Sequence, residues 1–350
     1  RGQEGDPWKG EVGEPDRPAS LGIGASPSRV TRQDWINRKY MPTAEDHFQT
    51  RTFKMGLEFL HTNAKEDNWF LQIETFDPHE PFFTHRQYKD LYPHKYDGPH
   101  FDWPSYTQVT ETPEQIHHIR MEYAALVSMC DEQLGRVLDA MDALELWKDT
   151  MLIVATDHGF LLGEHGWWGK VLQPFYNEVA RTPMFVWDPR CGRRGATCGA
   201  LVQMIDLAPT LLEWFGVPTT EDMLGHSLRE TIATGAPVRE ACLFGLHGMH
   251  VNVTDGRYVY MRAPVESVNS ELYEYTLMPM HLKQMFRVEE LQDIQLAEPF
   301  SFTKGCRTMK IKSEGWGGMK DFGGHLLFDL EEDPGQQRPL ADSEAEERMI

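Results

Sequence analysis

The sequence predicts an α/β fold that is followed by a smaller antiparallel subdomain. Two observations support this prediction. Short apolar runs alternate with helical patterns up to about residue 235, which is typical of a largely parallel sheet flanked by helices. Beyond that point a hairpin pattern takes over. We therefore expect an α/β domain over residues 1–235 and a small α+β subdomain over residues 236–350.

Helices are predicted where apolar residues recur at three and four positions, over residues 43–61, 112–146 and 204–215. Thr43 is the candidate N-cap of the first helix. The second helix begins with Thr112, Pro113 and Gln115, a pattern that combines a cap, a first-turn proline and a capping-box partner. The final residues, SEAEERMI, look like the start of a further helix.

Strands are predicted from short apolar runs over residues 69–73, 151–155, 184–187, 251–254, 257–260 and 326–330. Asp255 and Gly256 separate the fourth run from the fifth, which is a hairpin signal. Residues 1–35 are rich in glycine, proline and charge and lack any periodicity, so we predict an irregular segment there.

Composition excludes some classes of function. The formal net charge of −20 argues against a general nucleic-acid binder. No run of about 18 apolar residues is present, so no membrane segment is expected. None of the five cysteines forms a C-x-x-C pair, and an odd total defines no disulfide framework, although Cys191 and Cys198 are close enough in sequence to bridge.

Candidate site residues follow two of the predicted strands. Asp157 and His158 come directly after the run at 151–155, and Lys170 closes the same glycine-rich stretch. His79 lies in a proline-flanked loop after the run at 69–73. Ligands bind beyond the carboxyl ends of strands in such folds. A carboxylate beside an imidazole suits a divalent cation, and a lysine suits an anionic substrate group.

Several motifs occur in an order that resembles the sulfatases. T-D-H-G-x-x-x-G-E-H-G-x-x-x-K resembles the second metal motif of that family, and F-D-P-H-E-P-F resembles its substrate-binding loop. M-I-D-L-A-P-T-L-L, the later G-H-S-L, and L-F-D-L with its following D-P resemble downstream family segments. R-G-Q-E-G-D-P-W at the start is similar to a segment of certain bacterial sulfatases.

The resemblance implies an alkaline-phosphatase-like fold and hydrolysis of a sulfate ester, with a carbohydrate sulfate as the preferred substrate. Carried over by position, Asp157 and His158 would bind a metal ion, with Ca²⁺ expected. Lys170 and His79 would hold the sulfate oxygens and assist the leaving group. Glu164 and His165 lie in the motif without an assigned role. A periplasmic or secreted location would also fit the family.

The family nucleophile is absent from the sequence. Sulfatases use formylglycine made from the first residue of C-x-P-S-R or S-x-P-S-R, together with an Asp-Asp pair on their first strand. No cysteine here precedes x-P-S-R, and Ala25 occupies the first position of the similar string A-S-P-S-R. We therefore expect the formylglycine in an N-terminal segment missing from this chain, and we expect the chain alone to be inactive and to bind calcium weakly.

Two alternatives remain open. His158 stands where many sulfatases have asparagine, which resembles phosphonate monoester hydrolases and keeps a phosphonate or phosphate monoester hydrolase of the same superfamily possible. The other alternative is a catalytically inactive relative that binds sulfated glycans. Turnover of aryl sulfate against aryl phosphonate distinguishes the first alternative, and sugar binding without turnover distinguishes the second.

Overall fold

The computed structural model describes residues 29–264, 272–278, 280, 285–313, 324–341 and 343–349. Its helices are α1 (Arg29–Arg38), α2 (Phe48–Asn63), α3 (Arg86–Lys89), α4 (Pro113–Ala143), α5 (Asn177–Ala180), α6 (Leu207–Trp214), α7 (Arg229–Thr234) and α8 (Ser343–Met349). Its strands are β1 (Leu152–Ala155), β2 (Leu161–Leu162), β3 (Trp168–Gly169), β4 (Met184–Trp187), β5 (Cys242–Gly245), β6 (Val251–Thr254), β7 (Tyr258–Arg262), β8 (Tyr273–Thr276), β9 (Gln295–Leu296), β10 (Met309–Lys312) and β11 (Leu326–Asp329).

The described chain divides into two units. The first contains the described residues up to Met151 together with Phe160–Gly169. The second contains Leu152–Gly159 and the described residues from Lys170 onward. The predicted domain boundary after residue 235 falls within the second unit, so the division into residues 1–235 and 236–350 stays a prediction.

Helix α4 provides the main packing surface of the first unit. Its predicted start is confirmed, because Thr112 Oγ1 accepts from the Gln115 N–H and the Gln115 side chain accepts from the Thr112 N–H. This reciprocal pair satisfies two backbone donors at the helix end. The inner face of α4 contributes Ile119, Leu126 and Met129 to a buried core that also contains Phe82, Phe101 and Trp168.

Helix α1 contradicts the prediction of an irregular segment over residues 1–35, within the part from residue 29 that the structure describes. The Arg38 guanidinium is buried and contacts the carboxylates of Asp34 at 2.6 Å and Asp102 at 2.7 Å. It also lies over the rings of Trp35 and Phe83. This ion pair joins residues 64 positions apart, so a search for local apolar periodicity cannot find what stabilises the helix.

Helix α2 begins later than predicted. Thr43 is not its N-cap, because residues Ala44–Asp46 form a separate 3-10 turn and the Thr43 hydroxyl donates to Asp46 Oδ2 at 2.5 Å. His47 caps α2 instead, with Nδ1 accepting from the Gln49 N–H at 3.3 Å. Histidine is an uncommon N-cap, and the more usual threonine therefore drew the prediction to the wrong position.

The predicted strand at 69–73 is wrong, since this segment has no strand pairing and no assigned secondary structure. Trp69 makes an edge contact with Phe59 of α2, and Ile73 packs against Gly56 of the same helix. Phe70 points away and is 58% exposed. The apolar residues of this run pack against a helix on one side. The spacing of apolar residues alone does not distinguish such a segment from a strand that pairs in a sheet.

The predicted strands at 151–155 and 184–187 are confirmed as β1 and β4. They pair antiparallel, from Leu152 opposite Trp187 to Ala155 opposite Met184. All strand pairs within the described residues are antiparallel, so the largely parallel sheet is not formed there. An apolar run predicts that a strand is buried but carries no information on the direction of its neighbour.

The small C-terminal antiparallel sheet is confirmed. It has the strand order β11-β7-β6-β5, and the predicted hairpin is its β6–β7 pair. A second sheet of order β8-β10-β9 lies between β7 and β11 in sequence. The predicted helices at 204–215 and at the C-terminal end are also present, as a 3-10 turn leading into α6 and as α8.

Asp206, at the start of α6, joins three segments of the second unit. Its fully buried carboxylate accepts from both terminal nitrogens of Arg239, at 2.5 and 2.6 Å. The N–H groups of Gln203 and His226 donate to the same carboxylate at 2.7 and 2.9 Å. The M-I-D-L and G-H-S-L motifs are therefore in direct contact. Their role in this structure is to stabilise the packing of these segments against each other.

All five cysteines are free thiols, so Cys191 and Cys198 do not form the bridge that their spacing allows. Cys198 is exposed, and Cys191 donates to the carbonyl of Arg229 at 3.6 Å. Among the described residues, no helix is both long enough and apolar enough to cross a membrane.

Candidate functional site

Asp157 and His158 lie directly after β1, as the sequence predicts. The Asp157 side chain is 80% exposed, and its Oδ1 accepts from the His158 N–H at 2.9 Å. Its Oδ2 lies 3.4 Å from His158 Nε2. The carboxylate and the imidazole thus meet at the end of the strand, where both are accessible from solvent.

Gly159 fixes the turn that presents this pair. Its N–H donates to the Val179 carbonyl at 2.8 Å. A Cβ at this position would lie 1.8 Å from the Glu178 carbonyl oxygen, which no side chain can tolerate. The glycine of the D-H-G motif is therefore required by the close approach of two backbone segments, and it sets the direction of the Asp157–His158 pair.

The motif continues through a loop that α4 anchors. Arg120 on α4 donates from Nε to the Leu162 carbonyl at 2.8 Å and from Nη2 to Glu164 Oε1 at 3.0 Å. Glu164 Oε2 accepts from the Leu162 N–H at 2.5 Å. Glu164, which the sequence left without a role, therefore holds the loop in place through a salt bridge.

Lys170 follows β3 and is half-buried. The preceding Gly169 has φ +104°, and a Cβ there would lie 2.8 Å from the Tyr106 ring. Both the left-handed backbone and the ring contact exclude a larger residue at position 169. The loop that leads to Lys170 therefore requires a glycine directly before the lysine.

His79 lies in the second predicted loop, in the first unit. Its backbone N–H donates to the Phe76 carbonyl at 2.9 Å. Its Nδ1 is 2.6 Å from the Glu80 carbonyl oxygen and 3.2 Å from Glu80 Oε2. Because the carbonyl oxygen can only accept, Nδ1 is the donor, and this hydrogen bond fixes the orientation of the ring.

The sequence analysis did not predict the side chains that surround His79. Glu80 is buried, and its Oε1 accepts from the Tyr106 hydroxyl at 2.5 Å. Asp77 is also buried, with Oδ2 3.9 Å from Nδ1 of His47. A carboxylate on each side of Pro78 and His79 was visible in the sequence, but Tyr106 and His47 come from distant positions that no local pattern connects with this loop.

A nearby thiol is unsuited to act as a nucleophile. Burial raises the pKa of Cys130 to about 12, and the charge of Asp77 acts in the same direction. Cys130 donates to Gln49 Oε1 at 3.6 Å. The thiol form therefore persists at neutral pH, and thiolates rather than thiols are reactive.

The metal donors present are one carboxylate and one imidazole. No cluster of three or more histidine, cysteine, aspartate or glutamate side chains suited to a metal exists in the described ranges. Ca²⁺ takes six to eight oxygen ligands. The exposed carboxylate of Asp157 offers oxygen donors of the kind that Ca²⁺ takes, whereas the His158 imidazole offers a nitrogen donor of the kind that transition metals take.

A family model described as Sulfatase matches residues 12–217, which is more than half of the chain. The chain belongs to the sulfatase family. The C-terminal model of N-sulphoglucosamine sulphohydrolase matches residues 163–299 of this chain. His79, Asp157, His158 and Lys170 all lie within the first match.

Curated relatives match this chain over parts of their length. N-acetylglucosamine-6-O-sulfatase of Bacteroides thetaiotaomicron is 34% identical over 111 residues, which cover 32% of this chain and 20% of the relative. The multifunctional alkaline phosphatase superfamily protein PehA of Trinickia caryophylli is 31% identical over 179 residues, covering 51% of this chain and 34% of that protein. The chain therefore spans a minor part of each of these relatives.

A solved structure confirms the fold class. The phosphonate monoester hydrolase of Agrobacterium radiobacter aligns with a TM-score of 0.59 and 17% identity, covering 88% of this chain and 59% of that chain. At this level of identity the likeness concerns the fold, which is the alkaline-phosphatase-like α/β class that the sequence predicts, although the described strands pair antiparallel.

Proposed function

We propose that the protein containing this chain hydrolyses sulfate esters and that Asp157, His158, Lys170 and His79 serve its active site. The observation that carries the proposal is the exposed Asp157–His158 pair at the end of β1, within the sulfatase match. The turn at Gly159 leaves the carboxylate accessible, whereas a purely structural aspartate would be expected to satisfy its oxygens inside the fold.

Lys170 and His79 are the proposed contacts of the sulfate group. Negative charge on the sulfate oxygens increases toward the transition state, and the ammonium of Lys170 neutralises this charge. His79, whose Nδ1 lies 3.2 Å from Glu80 Oε2, hydrogen-bonds to the ester oxygen and delivers a proton to the departing alkoxide. Glu80 is thus a positioning residue for His79.

Asp157 and His158 are proposed as metal ligands, with Ca²⁺ as the preferred ion. When bound, the ion polarises the sulfate and favours ionisation of the nucleophile. Because these residues supply two donors, we expect the 350-residue chain to bind Ca²⁺ weakly. Calorimetry tests this directly, and tight binding by the chain alone contradicts the assignment.

The nucleophile of this proposal is formylglycine, supplied from outside the printed sequence. None of the five cysteines precedes x-P-S-R, and Ala25 of the A-S-P-S-R string has no nucleophilic side chain. Residues 25–28 of that string lie outside the described residues, and Arg29 begins α1. Sequencing the coding DNA upstream tests this part: C-x-P-S-R or S-x-P-S-R in frame supports it, and an upstream region without either motif contradicts it.

The proposed substrate is a sulfated sugar. The relative with 34% identity carries the name N-acetylglucosamine-6-O-sulfatase, which supports a carbohydrate sulfate ester over a simple aryl sulfate. Nucleic acid is not a proposed partner, because a net charge of −20 repels its phosphates.

Phosphonate monoester hydrolysis is the second candidate activity. The fold likeness to the hydrolase of Agrobacterium radiobacter favours it, as does the histidine that follows Asp157. An inactive glycan-binding relative is the third candidate, and it requires that the complete protein lack a nucleophile.

The decisive experiment compares two substrates with the full-length protein. We expect 4-nitrophenyl sulfate to be turned over faster than 4-nitrophenyl phenylphosphonate. Lys170→Ala lowers kcat/KM by at least about a hundredfold, the usual loss for one group that stabilises transition-state charge. Lys148→Ala, which removes a 66% exposed lysine before β1, serves as the matched control and retains activity.

Three results would overturn the assignment. A preference for the phosphonate favours the second candidate. Equal activity of Lys170→Ala and Lys148→Ala removes Lys170 from the site. No release of sulfate from a sulfated sugar that the protein binds, together with no turnover of either aryl substrate, favours the third candidate.

A further inference from the structure

A cavity of about 500 Å³ lies along strand β8, away from the proposed catalytic residues in sequence. All four residues of the strand line it. Since neighbouring residues of a strand point to opposite faces, a cavity that touches all four follows the strand edge. β8 is the edge strand of the β8-β10-β9 sheet. The volume lies within the range of small-molecule sites.

Aromatic rings form one wall of this cavity. The Tyr275 ring meets Phe300 edge-on at 5.0 Å, and both residues line the cavity. Phe300 in turn stacks parallel to Phe302 at 5.4 Å. The three residues are 45%, 36% and 64% exposed, respectively. Large aromatic side chains usually bury their area, so an exposed row of rings indicates a surface that binds something.

Polar groups lie on the same strand edge. Glu274 lines the cavity, and its Oε1 is held by the Ser313 hydroxyl at 2.9 Å. His247 and Thr276 add hydrogen-bonding groups to the lining. Rings beside a carboxylate, an imidazole and a hydroxyl match a sugar, whose C–H face is apolar and whose rim carries hydroxyl groups.

A lysine adds positive charge next to the rings. Lys310 of β10 pairs in register with Tyr275, and its Nζ lies 3.7 Å from the centroid of the Tyr273 ring. This local cation beside an aromatic wall favours an anionic substituent on the bound sugar, against the net charge of −20 of the whole chain.

We propose that the β8 cavity binds one unit of a sulfated oligosaccharide, with Tyr275 and Phe300 stacking on the sugar ring and Lys310 contacting a sulfate group. The inference rests on the proposed function in one respect, since that function selects sulfated sugars as the ligand. The cavity would then hold a chain whose ester is cleaved elsewhere, which makes the protein selective for oligomers over monosaccharides.

The test measures binding of a heparin-derived hexasaccharide to the 350-residue chain by calorimetry, with an unsulfated heparosan hexasaccharide in parallel. Tyr275→Ala should weaken binding of both sugars by about tenfold, the loss expected for an aromatic stacking contact. Tyr275→Phe keeps the ring and should stay within about threefold of the unaltered chain. Tyr40→Ala removes a tyrosine of similar exposure, 55%, and should change nothing.

The charge contact has its own pair of variants. Lys310→Gln should weaken binding of the sulfated hexasaccharide by about threefold and leave the unsulfated one unchanged, as expected for an exposed ionic contact. Lys304→Gln is the control, because this lysine pairs with Asp222 at 3.2 Å outside the cavity. An equal effect of the two lysine variants would remove Lys310 from the proposal.

The cavity proposal fails if the unaltered chain binds neither sugar, or if Tyr275→Ala binds within twofold of it. These failures are distinguishable from failure of the proposed function. A full-length protein that lacks sulfatase activity while the chain binds the hexasaccharide leaves the cavity proposal standing. If the full-length protein hydrolyses sulfate esters but the 350-residue chain does not bind the hexasaccharide, only the cavity proposal is rejected.

Discussion

Replacing Asp206 by asparagine isolates the interaction that joins α6 to its neighbours. The Asp206 carboxylate accepts four hydrogen bonds, two from Arg239 and one each from the N–H groups of Gln203 and His226. An asparagine keeps one acceptor oxygen and turns an NH₂ group toward donors. It also leaves the Arg239 guanidinium, with a side chain only 10% exposed, without its counter-charge.

The expected loss is about 3 kcal/mol in the free energy of unfolding, at the lower end of the range for breaking a buried ion pair because Arg239 retains some access to water. Urea unfolding followed by far-UV circular dichroism measures it. Glu213→Gln is the control: this carboxylate, 35% exposed, pairs with Arg229 at 3.2 Å, and its loss should cost under about 1 kcal/mol.

A double-mutant cycle sharpens the test. Asp206→Leu and Arg239→Leu should each destabilise strongly, whereas the double variant should cost clearly less than their sum, because no buried charge is left unpaired. Additive losses, or an Asp206→Asn loss below about 1 kcal/mol, would refute the assignment of this pair as a main tertiary contact.

The pH dependence of the same contact has a defined sign. Burial alone would raise the pKa of Asp206, but hydrogen bonds from Arg239 and from the Gln203 and His226 N–H groups outweigh it and hold the pKa below its usual value. The stabilisation is therefore fully present above the unfolded-state pKa of about 3.9 and is lost as the pH falls through the lower folded-state value. The difference in the free energy of unfolding between the unaltered chain and Asp206→Asn should therefore become smaller below about pH 4.

Two further predictions concern the fold. Gly159→Ala should unfold or strongly destabilise the chain, because the new Cβ would lie 1.8 Å from the Glu178 carbonyl oxygen. Gly135→Ala in α4 is the control, since a Cβ there would have nothing within 4 Å. It should raise the free energy of unfolding, measured by thermal unfolding, by about 0.5–1 kcal/mol. Burial, followed by the charge of His94, lowers the pKa of His118 to about 4. Stability should therefore fall as the pH drops from about 6.5 toward 4, since the unfolded chain binds the extra proton; His118→Gln should remove this slope, and an unchanged slope would contradict the assignment.

Local patterns determined much of the secondary structure. The Thr112–Gln115 capping box, the β6–β7 hairpin and the strands β1 and β4 all follow from residues close in sequence. The capping box and the hairpin depend on contacts within a few residues, and β1 and β4 are each marked by a short apolar run, so all of them leave a local pattern that can be recognised.

The candidate residues were likewise visible in the sequence, because their order along the chain resembles one family. Asp157 and His158 do lie side by side after β1, as predicted. Their chemical roles, with those of Lys170 and His79, remain proposals until the variants are measured. The glycines of the motif gained a physical reason only from the structure, through the backbone approach at Gly159.

Long-range partners were decided by tertiary structure alone. Helix α1 depends on the Arg38–Asp102 ion pair, and the loop of His79 depends on the contact between Glu80 and Tyr106. The run at 69–73 packs on α2 instead of joining a sheet. A sequence shows which side chains need burial or a counter-charge, but the partner that satisfies them is chosen by the folded chain, since its position is not related to their spacing.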